Sequence, residues 1–415
     1  MIKLDFFYKI TIFFLLVQTV VVTNSIKGLL VPYVSVILFT AILFLKLHQN
    51  DVKRFFYELS IALLVFVALV LPSQLSNLIL NNGNFINFSL WISSDSPELL
   101  SFRSSFFTQG IYFLICLMFF YATNYSLRKG TFSEINKFLR LGLIFFIAYG
   151  YFSYLSFFIF GKNIDFLSNR LTGADTIFGG IYQFVNLGGL TLPRFQSLTG
   201  EPSMFAFSIF PFFIYFYYMR DKFMYMNLLV VLLLSTSGTA IVGFATFIIM
   251  DSILYRKARN FLVVFSILLA SLVVFNFSVI LDFAIFFISK LNSEHISGVE
   301  RLSHIVESVR YFGQLSWLNQ LFGIGFGYSR STNGFTTILL NNGLIGLVFV
   351  LGVYLYPLVT IKTNNNPAVQ GIKMANITVL VMMLISVPEF YNLHIYFLLS
   401  LLFNIKYIGT KYAGG

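Results

Sequence analysis

A helix of roughly 20 apolar residues crosses a bilayer core of about 30 Å, and this chain consists largely of such runs. Twelve are marked by composition, near 10–24, 28–47, 58–80, 106–127, 141–160, 202–219, 223–236, 238–254, 261–289, 335–361, 372–388 and 390–405. No soluble domain of 415 residues could bury this much apolar surface: 58% of the chain is hydrophobic, 10% is charged, and the mean hydropathy is +0.83. The sequence therefore predicts an all-α integral membrane protein of about twelve transmembrane helices, with residues 1–415 as one multi-pass domain. Two pairs of runs are joined so tightly, by "STSGT" and by "VPEFYNLH", that each pair reads either as two spans or as a half-membrane hairpin. The N-terminus has a basic start and a short apolar core but no small-x-small cleavage site, and is read as an uncleaved first helix. Cys116, the single cysteine, excludes a disulfide within the monomer and reads as lipid-facing or core filler.

Basic residues set the orientation. With both termini inside, the inner segments hold 18 of the 27 Lys and Arg. The other nine, Lys27, Arg103, Lys162, Arg170, Arg194, Lys290, Arg301, Arg310 and Arg330, fall outside. The net charge of +11 is then mostly topology and attraction to anionic lipid, and implies no nucleic acid. Three outer connections are long: 81–105, 161–201 and 290–334. Long connections in a compact protein are either functional or disordered. The last two carry Gly, Tyr, Phe and amphipathic spacing around their arginines, which favours ordered, functional loops, the third with an amphipathic helix.

The residues able to do chemistry sit in these outer segments. In "RFQSLTGEPSMFA", Pro202 suits the first turn of a helix, whose free N–H groups and positive dipole end attract anions. Arg194 adds fixed positive charge and is read as an anion grip. Glu201 has two readings: a cap paired with Arg194, or a carboxylate that orients or deprotonates a hydroxyl. In "ERLSHIVESVRYF", Glu300, His304 and Glu307 share one helical face, with Arg301 near His304. This segment is either the solvated face of a loop helix or a lid carrying Arg301 and Arg310 over a site, with His304 as candidate base, since histidine changes charge near neutral pH. Nothing else supplies ligands to these residues, so no metal is expected. Gly323, Gly325 and Gly327 allow close backbone approach. Gly343 and Gly346 have the spacing of small residues at a helix–helix contact. The middles of the spans carry almost no ionisable residue, unlike ion-coupled transporters, and no Walker motif is present.

Together, the dozen spans, "RFQSLTGEPSMFA" and "GIGFG…STNGFTTILLNNGLIGLVF" resemble the O-antigen polymerase family, within the wider O-antigen ligase/polymerase superfamily. The resemblance implies a GT-C-like glycosyltransferase of the bacterial cytoplasmic (inner) membrane. Such an enzyme joins undecaprenyl-pyrophosphate-linked oligosaccharide repeat units at the external face, making lipopolysaccharide O-antigen or capsule-type polysaccharide without metal, ATP or other cofactor. It also implies a flippase and a chain-length regulator as partners, beside the lipid bilayer. Ligases of the superfamily carry His, then Asn, Ser or Gln, then nine residues before Gly-x-x-Gly, Thr or Tyr. Here the spacing from Asn333 to Gly343 and Gly346 fits, but Thr332 stands at the histidine position, which disfavours a ligase. The Arg-x10-Gly spacing described for polymerases does not start from Arg170, Arg194, Arg301 or Arg330. On this reading Arg194, Arg301, Arg310, Arg170 and Arg330 bind the substrate diphosphate, and Glu201 or His304 acts on the acceptor hydroxyl. A lipid-linked oligosaccharide flippase is the alternative; it calls for short outer loops and a charged central cavity, the reverse of this pattern.

Overall fold

The computed structural model describes residues 5–23, 28–80, 101–161, 165–169, 183–187, 190–255, 296–363 and 366–409. It is 77% helical. The helices are α1 (Phe6–Phe13), α2 (Val31–Phe44), α3 (Asn50–Leu80), α4 (Ser104–Arg128), α5 (Phe132–Phe160), α6 (Pro202–Tyr218), α7 (Lys222–Leu234) and α8 (Gly238–Leu254). They continue with α9 (Ile296–Gln314), α10 (Trp317–Phe322), α11 (Gly334–Thr360), α12 (Pro367–Ser386), α13 (Leu393–Phe403) and α14 (Ile405–Gly409). Among the described residues, α3, α4, α5, α11 and α12 are long and apolar enough to cross a membrane, and α2, α6, α7, α8 and α13 are shorter apolar helices. This is a multi-pass helical membrane protein. The expected run at 261–289 lies outside the described residues.

The core forms around α6, where Phe205 to Phe216 are all buried. α12 packs along it, and Gly371 lets the backbones approach: a Cβ there would lie 3.3 Å from the Tyr215 carbonyl oxygen. Polar side chains tie the remaining helices together, as expected where apolar surface alone gives no preference between lipid and protein. Tyr8 of α1 donates to Thr123 of α4 at 2.9 Å, Ser400 of α13 donates to the Phe120 carbonyl at 2.9 Å, and Asn404 donates to Asn124 at 2.6 Å. Cys116 is fully buried, its Sγ 3.2 Å from the Tyr391 carbonyl oxygen, so of its two readings the core one applies.

Three elements depart from the sequence reading. The first helix stops at Phe13 instead of running to residue 24. Beyond it the mostly β-branched stretch Val17 to Val22 is non-helical: the Gln18 and Thr19 amides donate to the Leu198 carbonyl at 2.9 and 3.2 Å, and Val21 bridges Leu30. Irregular backbone at membrane depth is tolerated where protein satisfies it or it lines a cavity. The second departure is a two-stranded antiparallel hairpin, β1 (Phe184–Leu187) and β2 (Leu190–Pro193), with Val185 opposite Leu192. Alternation around Gly188 and Gly189 favours a hairpin, which a count of apolar runs does not register. The third is Gly343. It does lie at a close helix contact, against Leu321 of α10, but with φ 65° and ψ −166° it also breaks α11. The carbonyls of Leu340 and Asn341 accept instead from the amides of Ile324 and Gly325, at 2.8 and 3.2 Å.

The segment between α9 and α11 is anchored on α3. Asn319 donates to Asn77 at 2.8 Å, Asn77 donates to the Ile324 carbonyl at 2.7 Å, and Tyr328 donates to Gln74 at 2.6 Å. The polar end of α3 is therefore a docking platform for the loop. α9 is amphipathic. It exposes Leu302, Val306 and Val309, while buried Ser308 on another face reaches Ser331 at 3.2 Å.

Candidate functional site

The N-terminal ends of α2, α4, α6, α11 and α13 meet around a cavity of about 340 Å³. The non-helical segment after α1 contributes Gln18 and Thr19, α4 contributes Gln109 and Tyr112, and the glycine-rich loop contributes Gly327, Ser329 and Arg330. The turn between α12 and α13 adds Pro388 to Asn392.

Three helix ends open directly on the cavity. Leu30, Glu201 and Asn392 are the N-caps of α2, α6 and α13, and all three line it. None makes a side-chain capping hydrogen bond. First-turn N–H groups and the positive ends of three helix dipoles therefore converge on one space, an arrangement suited to an anion.

The cavity charges come from three different parts of the chain. Arg330 forms an ion pair with Glu389; the arginine side chain is 56% exposed and the glutamate 22%. Glu201 is exposed, and its carboxylate accepts from the Ser203 hydroxyl at 3.2 Å. It occupies the cap position by its backbone, without using its carboxylate as a cap. The ring of Tyr112 neighbours those of Tyr33 and Tyr391, at 6.0 and 6.2 Å between centroids. The Tyr33 hydroxyl is fixed on the Tyr391 carbonyl at 2.6 Å. Burial, reinforced by Glu389, pushes the Tyr391 hydroxyl well above its ordinary range, so it stays neutral. Aromatic rings beside Gln18, Gln109 and Asn392 offer flat apolar faces and amide groups together.

The sequence-selected residues separate. Glu201 and Arg330 share the cavity. Arg194 lies outside its lining and is engaged elsewhere: Nε donates to the Ser235 carbonyl and Thr236 hydroxyl at 3.2 and 3.1 Å, Nη2 to the Thr236 carbonyl at 3.2 Å, and Nη1 to Gln183 at 2.7 Å. It thus satisfies carbonyls at the tight turn between α7 and α8, where a cation also complements the C-terminal dipole of α7. His304 and Arg310 lie on α9, half-buried and exposed, and neither lines the cavity. The Arg301 side chain and all of Arg170 lie outside the described residues. Glu389 went unselected in the sequence. Its only signal is a carboxylate between Pro388 and Phe390 in a short turn joining two apolar runs. Asn333, beside Thr332, caps α11 by accepting from the Thr336 amide at 2.9 Å.

Fold and cavity define a multi-pass helical membrane protein with a polar, anion-compatible chamber at one end of its bundle. No family model and no curated protein matches the chain.

Proposed function

We propose that the chain is a membrane glycosyltransferase that polymerises polyprenyl-diphosphate-linked oligosaccharide repeat units, with this cavity as its active site at the external face of the bacterial cytoplasmic membrane. The observation that carries the proposal is the convergence of three helix N-termini lacking side-chain caps with Arg330, Glu201 and a tyrosine-lined wall. The opposite end of the bundle holds Arg54, Arg128, Lys129, Arg140 and Lys222, so the positive-inside tendency supports an outward-facing cavity.

In this reading the acceptor sugar hydroxyl attacks the anomeric carbon of the lipid-linked chain. A new C–O bond forms, the bond to the diphosphate breaks, and the polyprenyl diphosphate leaves with the electron pair. Arg330 and the helix ends stabilise the growing negative charge. Glu201 receives the hydroxyl proton. Glu389 holds the Arg330 fork in place. Cleavage of the diphosphate linkage supplies the driving force.

The test is the lipid-linked glycan pool of a deletion strain complemented by variants. Deletion is expected to accumulate single repeats at the external face, whereas retention at the inner face would identify a flippase. Arg330→Lys and Glu201→Gln are expected to accumulate in the membrane yet give at least tenfold less polymer. Full polymer from both variants would overturn the assignment of the cavity.

A further inference from the structure

A second cavity, of about 650 Å³, lies between α3, α4, α11 and α13. Its walls are mostly apolar, with Val65 and Leu69 of α3 and Phe349 and Val353 of α11 among the lining residues. Its charged groups, Glu58 and Arg128, lie at one end with Asn124 and Asn404, while Asn342 is a polar side chain on the α11 wall.

Three features identify its occupant. The first is length. The α3 wall runs from Glu58 to Val70, about 18 Å at a rise of about 1.5 Å per residue. That approximates one leaflet of a hydrocarbon core about 30 Å thick.

The second is closure toward the polar cavity. Phe326 packs on Phe66 at 4.9 Å and on Phe113 at 5.7 Å, and its other neighbour is Tyr391 of the polar cavity at 6.2 Å. Phe66 and Phe113 are themselves 4.6 Å apart. The rings of Phe66, Phe113 and Phe326 thus stand between groove and cavity, with Phe390 lining both.

The third is charge. At the polar end Arg128 binds both Glu58 oxygens, at 3.0 and 2.9 Å, and Arg54 uses its Nε on the same carboxylate at 2.9 Å, with its side chain 63% exposed. Lys129 lies 3.9 Å from Asp51, which is 73% exposed. Three cations and two carboxylates leave the mouth positive, and Lys406 of α14 adds a further cation at the same end of the bundle.

We propose that this groove is a binding site for an anionic phospholipid: one acyl chain lies along α3, and the headgroup phosphate sits against Arg54, Arg128 and Lys129. Basic side chains at a membrane surface favour anionic lipid, and the exposed Arg54 guanidinium is well placed to contribute. The inference is independent of the function assigned to the polar cavity, because the two sites share no charged residue.

The experiment is native mass spectrometry of the protein released from nanodiscs containing phosphatidylethanolamine and phosphatidylglycerol. One phosphatidylglycerol is expected to remain bound in preference to phosphatidylethanolamine. Ala62→Trp, which places a ring in the groove, is expected to remove it, and Val353→Trp serves from the facing wall should the first variant fail to accumulate. Arg54→Ala leaves the Glu58–Arg128 pair intact and is expected to weaken retention about fivefold. Equal retention of the two lipids, or an adduct untouched by the groove-filling variants, would overturn the proposal. So would displacement of the phospholipid by added polyprenyl diphosphate.

Discussion

Gly323 and Gly343 meet with no room for a side chain on either. A Cβ on Gly343 would lie 2.6 Å from the Gly323 nitrogen and 2.3 Å from the Leu321 carbonyl oxygen, and a Cβ on Gly323 would lie 2.3 Å from the Asn341 carbonyl oxygen. The contact lets the glycine-rich loop supply amides to the carbonyls that the break in α11 frees. It also sets Ser329 and Arg330: the Asn341 side chain accepts from the Ser329 amide at 2.8 Å and donates to the Ser329 carbonyl at 2.8 Å.

Gly343→Ala is therefore expected to destabilise severely. The backbone conformation alone costs a residue with a side chain about 1–3 kcal/mol, and the overlap with Leu321 adds to that. Gly352, in the same helix, has open space around it. Gly352→Ala is expected to be neutral or to stabilise by up to about 1 kcal/mol, the difference in helix propensity. Thermal unfolding in detergent, followed by size-exclusion chromatography, measures both. A Gly343→Ala protein as stable as the wild type would remove the break from the account of the site.

Arg194 is expected to act on stability. Hydrogen bonds to a charged group are each worth about 1.5–3 kcal/mol, and Arg194→Ala withdraws several from the turn at Ser235 and Thr236. The variant should accumulate poorly and unfold at lower temperature. A stable but inactive Arg194→Ala protein would return Arg194 to the substrate.

Glu389→Gln separates orientation from folding. The Arg330–Glu389 pair is partly exposed, and such pairs contribute about 0–1 kcal/mol to stability. The expected result is an unchanged unfolding temperature with polymer reduced about tenfold, because Arg330 loses the group that fixes its fork. Arg330→Ala should show the same stability with a deeper loss. Normal polymer from Glu389→Gln would make the pair incidental to activity.

His394 is fully buried just below the cavity, against the edge of Phe207 at 5.0 Å, and neither ring nitrogen has a hydrogen-bond partner. A buried polar group without a partner costs about 1–3 kcal/mol. His394→Leu is accordingly expected to raise the unfolding temperature and leave polymer unchanged. A loss of activity without loss of fold would instead tie the imidazole to the chamber above it.

Topology can be read by cysteine labelling, since Cys116 is buried and should stay unreactive. Ser203→Cys, at the cavity end of α6, is expected to react with a membrane-impermeant maleimide added to spheroplasts. Lys222→Cys, at the start of α7, should react only after the membrane is opened. The reverse pattern would place the cavity in the cytoplasm and exclude the proposed reaction.

The membrane class, the helix positions from α2 to α8 and from α11 to α13, and the placement of cations at one end of the bundle were all legible in the sequence. Each depends on local quantities: the length of an apolar run, a proline at a first turn, and lysines and arginines in short connections. The site was legible only in part. Glu201 and Arg330 stood out as charges beside apolar runs, but so did Arg194, which serves the α7–α8 turn; a charge beside a span looks the same whether it faces a cavity or a carbonyl. Glu389 is separated from Arg330 by 59 positions (389 − 330) and from Glu201 by 188 (389 − 201). No local pattern encodes their meeting, which depends on five helices beginning at one place. Nor does spacing show that Gly343 is a helix break as well as a close contact. At the break the amides of Ile324 and Gly325, on a segment that reaches α11 with Gly323 packed against Gly343, take the released carbonyls, and only the packed structure brings them together.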